Sequence, residues 1–147
     1  MTEEHFMKYA LNLSKTANCI KGKVGAILVK DNKIIAEGVN NVPTGIKPCT
    51  EKTCLRKKLK LKSGEHQELC FVVHAEQNAL LDALEKRIDV KNSILFVTKQ
   101  PCIICTKMLI NAGIKSIKYL EEYPDNYSKK LLKEAKIKIS KYKGEVK

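Results

Sequence analysis

The chain has 147 residues, of which 44% are hydrophobic and 30% charged, and a formal net charge of +12, a size and apolar content that suit one domain spanning 1–147 with a real core. No apolar run approaches the ~20 residues of a membrane-spanning helix, and the acidic start Met1-Thr2-Glu3-Glu4 is unlike a secretory leader. Six cysteines without the small, loop-rich frame of a disulfide scaffold point to reduced thiols and a cytoplasmic protein.

Phe6, Met7, Ala10, Leu11 and Leu13 recur at helical spacing and predict an opening helix over residues 3–18. Strands at 23–29 and 33–38 flank the turn Asp31-Asn32 and form a hairpin that runs into a loop at Asn40. Residues 41–70 form an insertion rich in Cys and Lys, with a short helix near 52–61. The apolar stretch Phe71-Val72-Val73 leads into a helix over 75–86. Ile94-Leu95-Phe96-Val97 is the heart of a buried strand over 93–97, after which Pro101 opens a helix over 102–112 that Gly113 terminates. A strand at 115–120, a helix at 127–135 and a short strand at 136–142 complete the series. Helices alternating with strands define an α/β class with a layered sheet.

The positive charge raises the question of nucleic acid. Of the 28 basic residues only Arg56 and Arg87 are arginine, and the densest runs, 56–62 and 129–147, have no regular aromatic interleaving. A stacking platform for single strands is therefore missing, which makes nucleic acid a poor partner. A solvated face, or attraction for a small anionic molecule, accounts for the charge more simply.

The chemistry is concentrated at two strand-to-helix junctions. His74-Ala75-Glu76 opens one helix and Pro101-Cys102-Ile103-Ile104-Cys105 opens the other. One His and two Cys supply three ligands of the kind tetrahedral zinc takes, leaving a fourth position open as in catalytic sites. Glu76 stands two residues from His74, placed to exchange a proton with water at the metal rather than to ligate it. Helix N-termini favour the thiolates of Cys102 and Cys105. Taken singly, each of these residues is more ordinary as a core thiol or a solvated polar group; H-x-E followed by P-C-x-x-C is the pattern of the zinc nucleobase deaminases.

In greater detail the chain resembles the deoxycytidylate (dCMP) deaminase family of the cytidine deaminase-like superfamily. The resemblance rests on Val24-Gly25-Ala26-Ile27-Leu28-Val29, Gly38-Val39-Asn40-Asn41, His74-Ala75-Glu76-Gln77-Asn78-Ala79, Thr98 through Cys105, Ala112-Gly113-Ile114 and Tyr123-Pro124-Asp125. It implies a three-layer α/β/α fold around a mixed sheet of about five strands. It also implies zinc on His74, Cys102 and Cys105, with Glu76 as proton shuttle. Asn40, Ala75 and Asn78 would line the substrate site. Relatives carry an Arg for the 5′-phosphate one turn further along the first active-site helix, where this chain has Glu85, so Lys86 and Arg87 become the expected phosphate contacts. The implied reaction is hydrolytic deamination of dCMP to dUMP. The family further implies a homo-oligomer, often a hexamer, with dCTP and dTTP as allosteric effectors. Action on another base or on tRNA, or a non-catalytic nucleotide-sensing or competence-associated role, are the alternatives; an intact Glu76 speaks against the last.

Cys19, Cys49, Cys54 and Cys70 have no place in this chemistry. With His66 they provide the ligand types of a second, structural zinc, or they are buried free thiols.

Overall fold

The structure is a computed structural model, described over residues 1–146. Helix α1 (Glu3–Ser14) precedes the hairpin β1 (Gly25–Lys30) and β2 (Lys33–Val39); the single-turn α2 (Leu55–Lys58) lies in the insertion; then follow α3 (Ala75–Glu85), β3 (Ile94–Lys99), α4 (Ile103–Asn111), β4 (Ser116–Glu121), α5 (Asn126–Glu134) and β5 (Lys138–Lys141). The five strands form one sheet in the order β2-β1-β3-β4-β5. β1 is antiparallel to both neighbours, whereas β3, β4 and β5 run parallel, each joined to the next through a helix. The sheet is therefore mixed, as expected. Asp31 and Asn32 both adopt positive φ, 51° and 60°, the backbone of a tight turn whose twist suits a two-residue hairpin.

Period-two alternation on the central strands builds two cores. Ile27, Val29 and Phe96 face one side, where Phe6, Met7 and Ala10 of α1 cover them. Ala26, Leu28, Leu95 and Val97 face the other, against Ala75, Ala79 and Ala83 of α3, Leu109 of α4 and Leu132 of α5. That arrangement is the three-layer α/β/α architecture. Its spacing is close. A Cβ on Gly38 would collide with the Ala79 nitrogen and the Ala75 carbonyl, and one on Gly25 with the Ala10 carbonyl. The alanine stripe of α3 and these two glycines let the helices lie directly on the strands.

Several boundaries differ from expectation for identifiable reasons. Helix α1 stops at Ser14 rather than 18 because Asn18 is used across the chain: its N–H donates to Asn41 Oδ1 at 2.9 Å, and its Oδ1 accepts from the Val42 N–H at 3.3 Å. The insertion helix shrinks from 52–61 to Leu55–Lys58, because the Leu61 N–H turns back to the Arg56 carbonyl at 3.0 Å and Lys60 takes a left-handed φ of 52°. Among the described residues no helix is long and apolar enough to cross a membrane.

Candidate metal and catalytic site

The N-termini of α3 and α4 point into one cavity of about 390 Å³. The first is fixed by Gln77, whose Oε1 accepts from the His74 N–H at 2.9 Å, and by Asn78, whose Nδ2 donates to the Val39 carbonyl at 2.7 Å. The second is fixed by Asp125. Its Oδ2 accepts from the Ile103 N–H at 2.8 Å and its Oδ1 from the Ser128 N–H at 3.0 Å, so one carboxylate caps α4 and α5 together.

Between these termini His74 Nδ1 lies 3.3 Å from Cys105 Sγ and 3.5 Å from Cys102 Sγ. The three ligand atoms all fall within 4.8 Å of one another. Tetrahedral zinc, with bonds of about 2.0–2.3 Å, sets its ligands about 3.4–3.8 Å apart, so the donor set fits the ion in both chemistry and spacing. Cys102 and Cys105 share a hydrogen bond. It pulls the Cys102 thiol down to about 4, with His74 assisting, and pushes the Cys105 thiol up, with burial adding to the rise. Hydrogen bonding to Cys102 raises the His74 imidazole above its ordinary value, against the effect of burial. A cation among the three groups would favour both thiolates.

Glu76 is 5% exposed and lines the same cavity. Burial pushes its carboxyl up to about 7, while backbone hydrogen bonding and the nearby His74 act in the opposite sense. None of the described ion pairs includes it. A carboxyl poised near neutrality beside a metal-ligand triad can move protons at physiological pH.

The remaining expected residues divide. Ala75 and Asn40 line the cavity. Asn40 Oδ1 accepts from the Val24 N–H and its Nδ2 donates to the Gly22 carbonyl, both at 2.7 Å, which leaves a lone pair and an N–H for a ligand. Asn78 is occupied in holding α3 to β2. Lys86 and Arg87 require correction: they follow the C-terminal end of α3, about 18 Å along the helix from His74, where Lys86 pairs with Asp82 at 2.7 Å and Arg87 is exposed with φ 57°. Neither lines the cavity; its cations are Lys21, Arg56 and Lys99. Arg56 belongs in sequence to a run of lysines expected to be solvated, yet it is 8% exposed. Its only sequence signal is that it is one of two arginines among 28 basic residues.

Cys19, Cys49, Cys54 and Cys70 line the cavity beside this centre. No three of them approach as closely as the His74 group among the described residues. Burial raises the Cys49 thiol, with the three other cysteines adding to the rise. His66 is turned away, exposed, with Nδ1 3.1 Å from Glu68.

A mixed-sheet α/β fold with one His and two Cys brought together at two convergent helix N-termini defines a candidate metal-site protein. The chain belongs to the family of the cytidine and deoxycytidylate deaminase zinc-binding region, which matches residues 1–121. It is 35% identical over 141 residues to the deoxycytidylate deaminase of Schizosaccharomyces pombe and 32% identical over 143 residues to that of Saccharomyces cerevisiae. Each alignment covers 95% of this chain and 44% of the yeast protein, so the chain spans less than half the length of either. The dCMP deaminase of cyanophage S-TIM5, solved in complex with dCMP and dUMP, superposes with a TM-score of 0.78 at 34% identity, over 97% of this chain and 99% of the phage one.

Proposed function

We propose that the protein hydrolyses dCMP to dUMP and ammonia, with zinc on His74, Cys102 and Cys105. The observation that carries the reading is geometric: Glu76, a buried carboxyl outside every described ion pair, lines the same cavity as three ligand atoms whose spacing fits zinc. The choice of substrate is supported by the similar phage enzyme, which covers nearly the whole chain and was solved with dCMP and dUMP. When bound, zinc supplies a Lewis acid that makes hydroxide available near pH 7. Glu76 takes a proton from the attacking water and delivers it to the ring nitrogen next to C4. A further transfer to the exocyclic amine lets the C4–N bond break and ammonia leave. The Ala75 N–H, at the first position of α3, has no helical acceptor and is placed to donate to the base. Asn40 offers its free lone pair and N–H to the sugar. Ammonia release from dCMP, CMP, deoxycytidine and a tRNA anticodon stem tests the reading. dCMP is expected to be the fastest, and turnover of the RNA stem alone would contradict it.

We also infer a structural zinc on Cys19, Cys49, Cys54 and Cys70. The reading is supported by all four lining one cavity, by the electrostatic influence of the other three on Cys49, and by an insertion with few buried apolar residues. His66 is not a ligand in this reading because it is exposed and does not line the cavity that holds the four cysteines. The insertion roofs the cavity that α3 and α4 open into, which supports taking the chain as one domain. Exposed Leu81, Leu84 and Met108 on α3 and α4 support a homo-oligomer, and six free thiols support a reducing, cytoplasmic setting.

A further inference from the structure

Both helices that carry the candidate ligands begin with a ligand. His74 stands at the N-cap of α3 and Cys102 at the N-cap of α4. The N-cap is the position whose side chain ordinarily accepts from the free N–H groups of the first turn, and a side chain turned towards a metal centre is not available for that. Cys102 makes no such bond. The first turn of α4 therefore takes its acceptor from elsewhere in the chain: Asp125 Oδ2, 22 residues away, accepts from the Ile103 N–H at 2.8 Å.

The grip is double. Gln100, just before Pro101-Cys102, is 3% exposed, and its Nε2 donates to the Asp125 carbonyl at 3.2 Å. Ile103, just after Cys102, donates to the Asp125 carboxylate. Cys102 is thus bracketed by bonds to a single residue, across Pro101, which fixes its own φ and has no N–H to contribute. Both ends of the bracket are anchored. The Gln100 N–H donates to the Glu121 carbonyl at 2.9 Å, the Asp125 N–H to the Tyr123 carbonyl at 2.8 Å, and Asp125 Oδ1 accepts from the Ser128 N–H at 3.0 Å in the first turn of α5. The need for an aspartate follows from the count of acceptors. One N–H from each helix meets one carboxylate oxygen, whereas an asparagine offers a single oxygen and sets its NH2 group against the second N–H. Two helix N-termini, each carrying about half a positive charge, also suit one carboxylate.

We propose that Asp125 is a positioning residue for the metal centre: it holds Cys102 in the ligand triad, through Ile103 on one side and Gln100 on the other. Asp125 does not line the cavity, so it acts through Cys102 and not on the substrate. The inference rests on the zinc reading above and deepens it. Groups that orient metal ligands are typically worth about 10–100-fold in metal affinity or activity. The connection between β4 and α5 thereby serves the metal centre as well as joining its two elements.

The test follows zinc release from full-length, zinc-loaded protein to a chromogenic chelator, with Cys102→Ala protein run alongside to mark any release that does not come from the His74 centre. Asp125→Ala is expected to release the zinc of that centre at least ~10-fold faster than wild type and to lower kcat for dCMP by a similar factor. KM should change by less than about 3-fold, because no contact with substrate is removed. Asp125→Asn, with one acceptor for two N–H groups, should fall between, releasing zinc at least ~3-fold faster through the loss of one cap, and it carries the test if the Ala variant does not fold. Ile27→Val, fully buried on the α1 side of the sheet, loosens the core at a distance and should leave zinc release and kcat at their wild-type values. Unchanged zinc release in a folded Asp125 variant overturns the assignment, whatever its melting temperature or rate. Equal acceleration in Ile27→Val overturns it too, by reducing the effect to lost stability. Wild-type protein that holds no zinc at the His74 centre overturns the metal reading and this role with it.

Discussion

The wall built by α3 and α4 and the insertion at 41–70 line one cavity and are made on opposite principles. The wall is an extension of the sheet: each helix starts where a strand or bridge ends, its first turn is tied by Gln77, Asn78 or Asp125, and its far side is packed in the core. The insertion has one four-residue helix, a three-residue 3₁₀ turn and few buried side chains, among them Cys54 and Arg56. Its order comes from cross-ties, namely Arg56 to two carbonyls, Gln67 Nε2 to the Tyr123 hydroxyl at 2.9 Å, and its cysteines. Groups that need fixed geometry sit on the rigid side; the buried cation Arg56 sits on the side held by a few bonds.

The comparison can be broken most forcefully at the metal. Cys102→Ala should remove the zinc of the His74 centre and abolish deamination while the sheet stays folded, as read by metal analysis and circular dichroism. Retained stoichiometry would show that the wall is not the metal centre. On the other side, Cys49→Ala should lower zinc from two per chain to about one and reduce the melting temperature sharply, leaving the catalytic ion in place. Wild type with a single zinc, and a mutant of unchanged melting temperature, would show that the insertion is held without metal.

A smaller effect sharpens the contrast within the wall. In zinc-free protein Glu76 binds its proton more tightly folded than unfolded, since its carboxyl rises from an ordinary 4.5 to about 7. The folded state therefore holds an extra proton between those values. The associated stability is whole below about 4.5 and is lost as pH rises through about 7. Glu76→Gln should accordingly stabilise zinc-free protein at pH 8 by about 1–3 kcal/mol, with the gap closing towards pH 4.5. Denaturant titrations at the two pH values check the sign. The smallest effect is expected at the other end of α3: Lys86→Gln removes an exposed i,i+4 pair with Asp82 and should change stability by less than about 0.5 kcal/mol. It should also leave the dCMP rate unaltered within twofold; a large loss of rate would show that this helix end contacts the substrate.

The rigid half was legible in the sequence because local signals and long-range pattern agree there. Ile94 to Val97 could only be a buried strand, and His74 and Cys102 each stand at a strand-to-helix junction. The insertion was not. The burial of Arg56 depends on where the carbonyls of Lys62 and His66 arrive, and nothing in Arg56-Lys57-Lys58 distinguishes its first member from its solvated neighbours. The end of α1 failed similarly, since Asn18 leaves the helix for partners 23 and 24 residues away. Lys86 and Arg87 were placed by motif spacing, which says nothing of the cations a distant loop can supply.

The central claim is that the carboxyl of Glu76 moves protons for a metal centre it does not ligate. The direct measurement is ammonia release from dCMP by wild type and Glu76→Gln, with zinc counted in the same preparations. The account predicts equal zinc and a kcat lower by at least ~10³-fold, about 4 kcal/mol of barrier. A variant that keeps its zinc and more than about a tenth of the wild-type rate, a barrier change below about 1.4 kcal/mol, would contradict it.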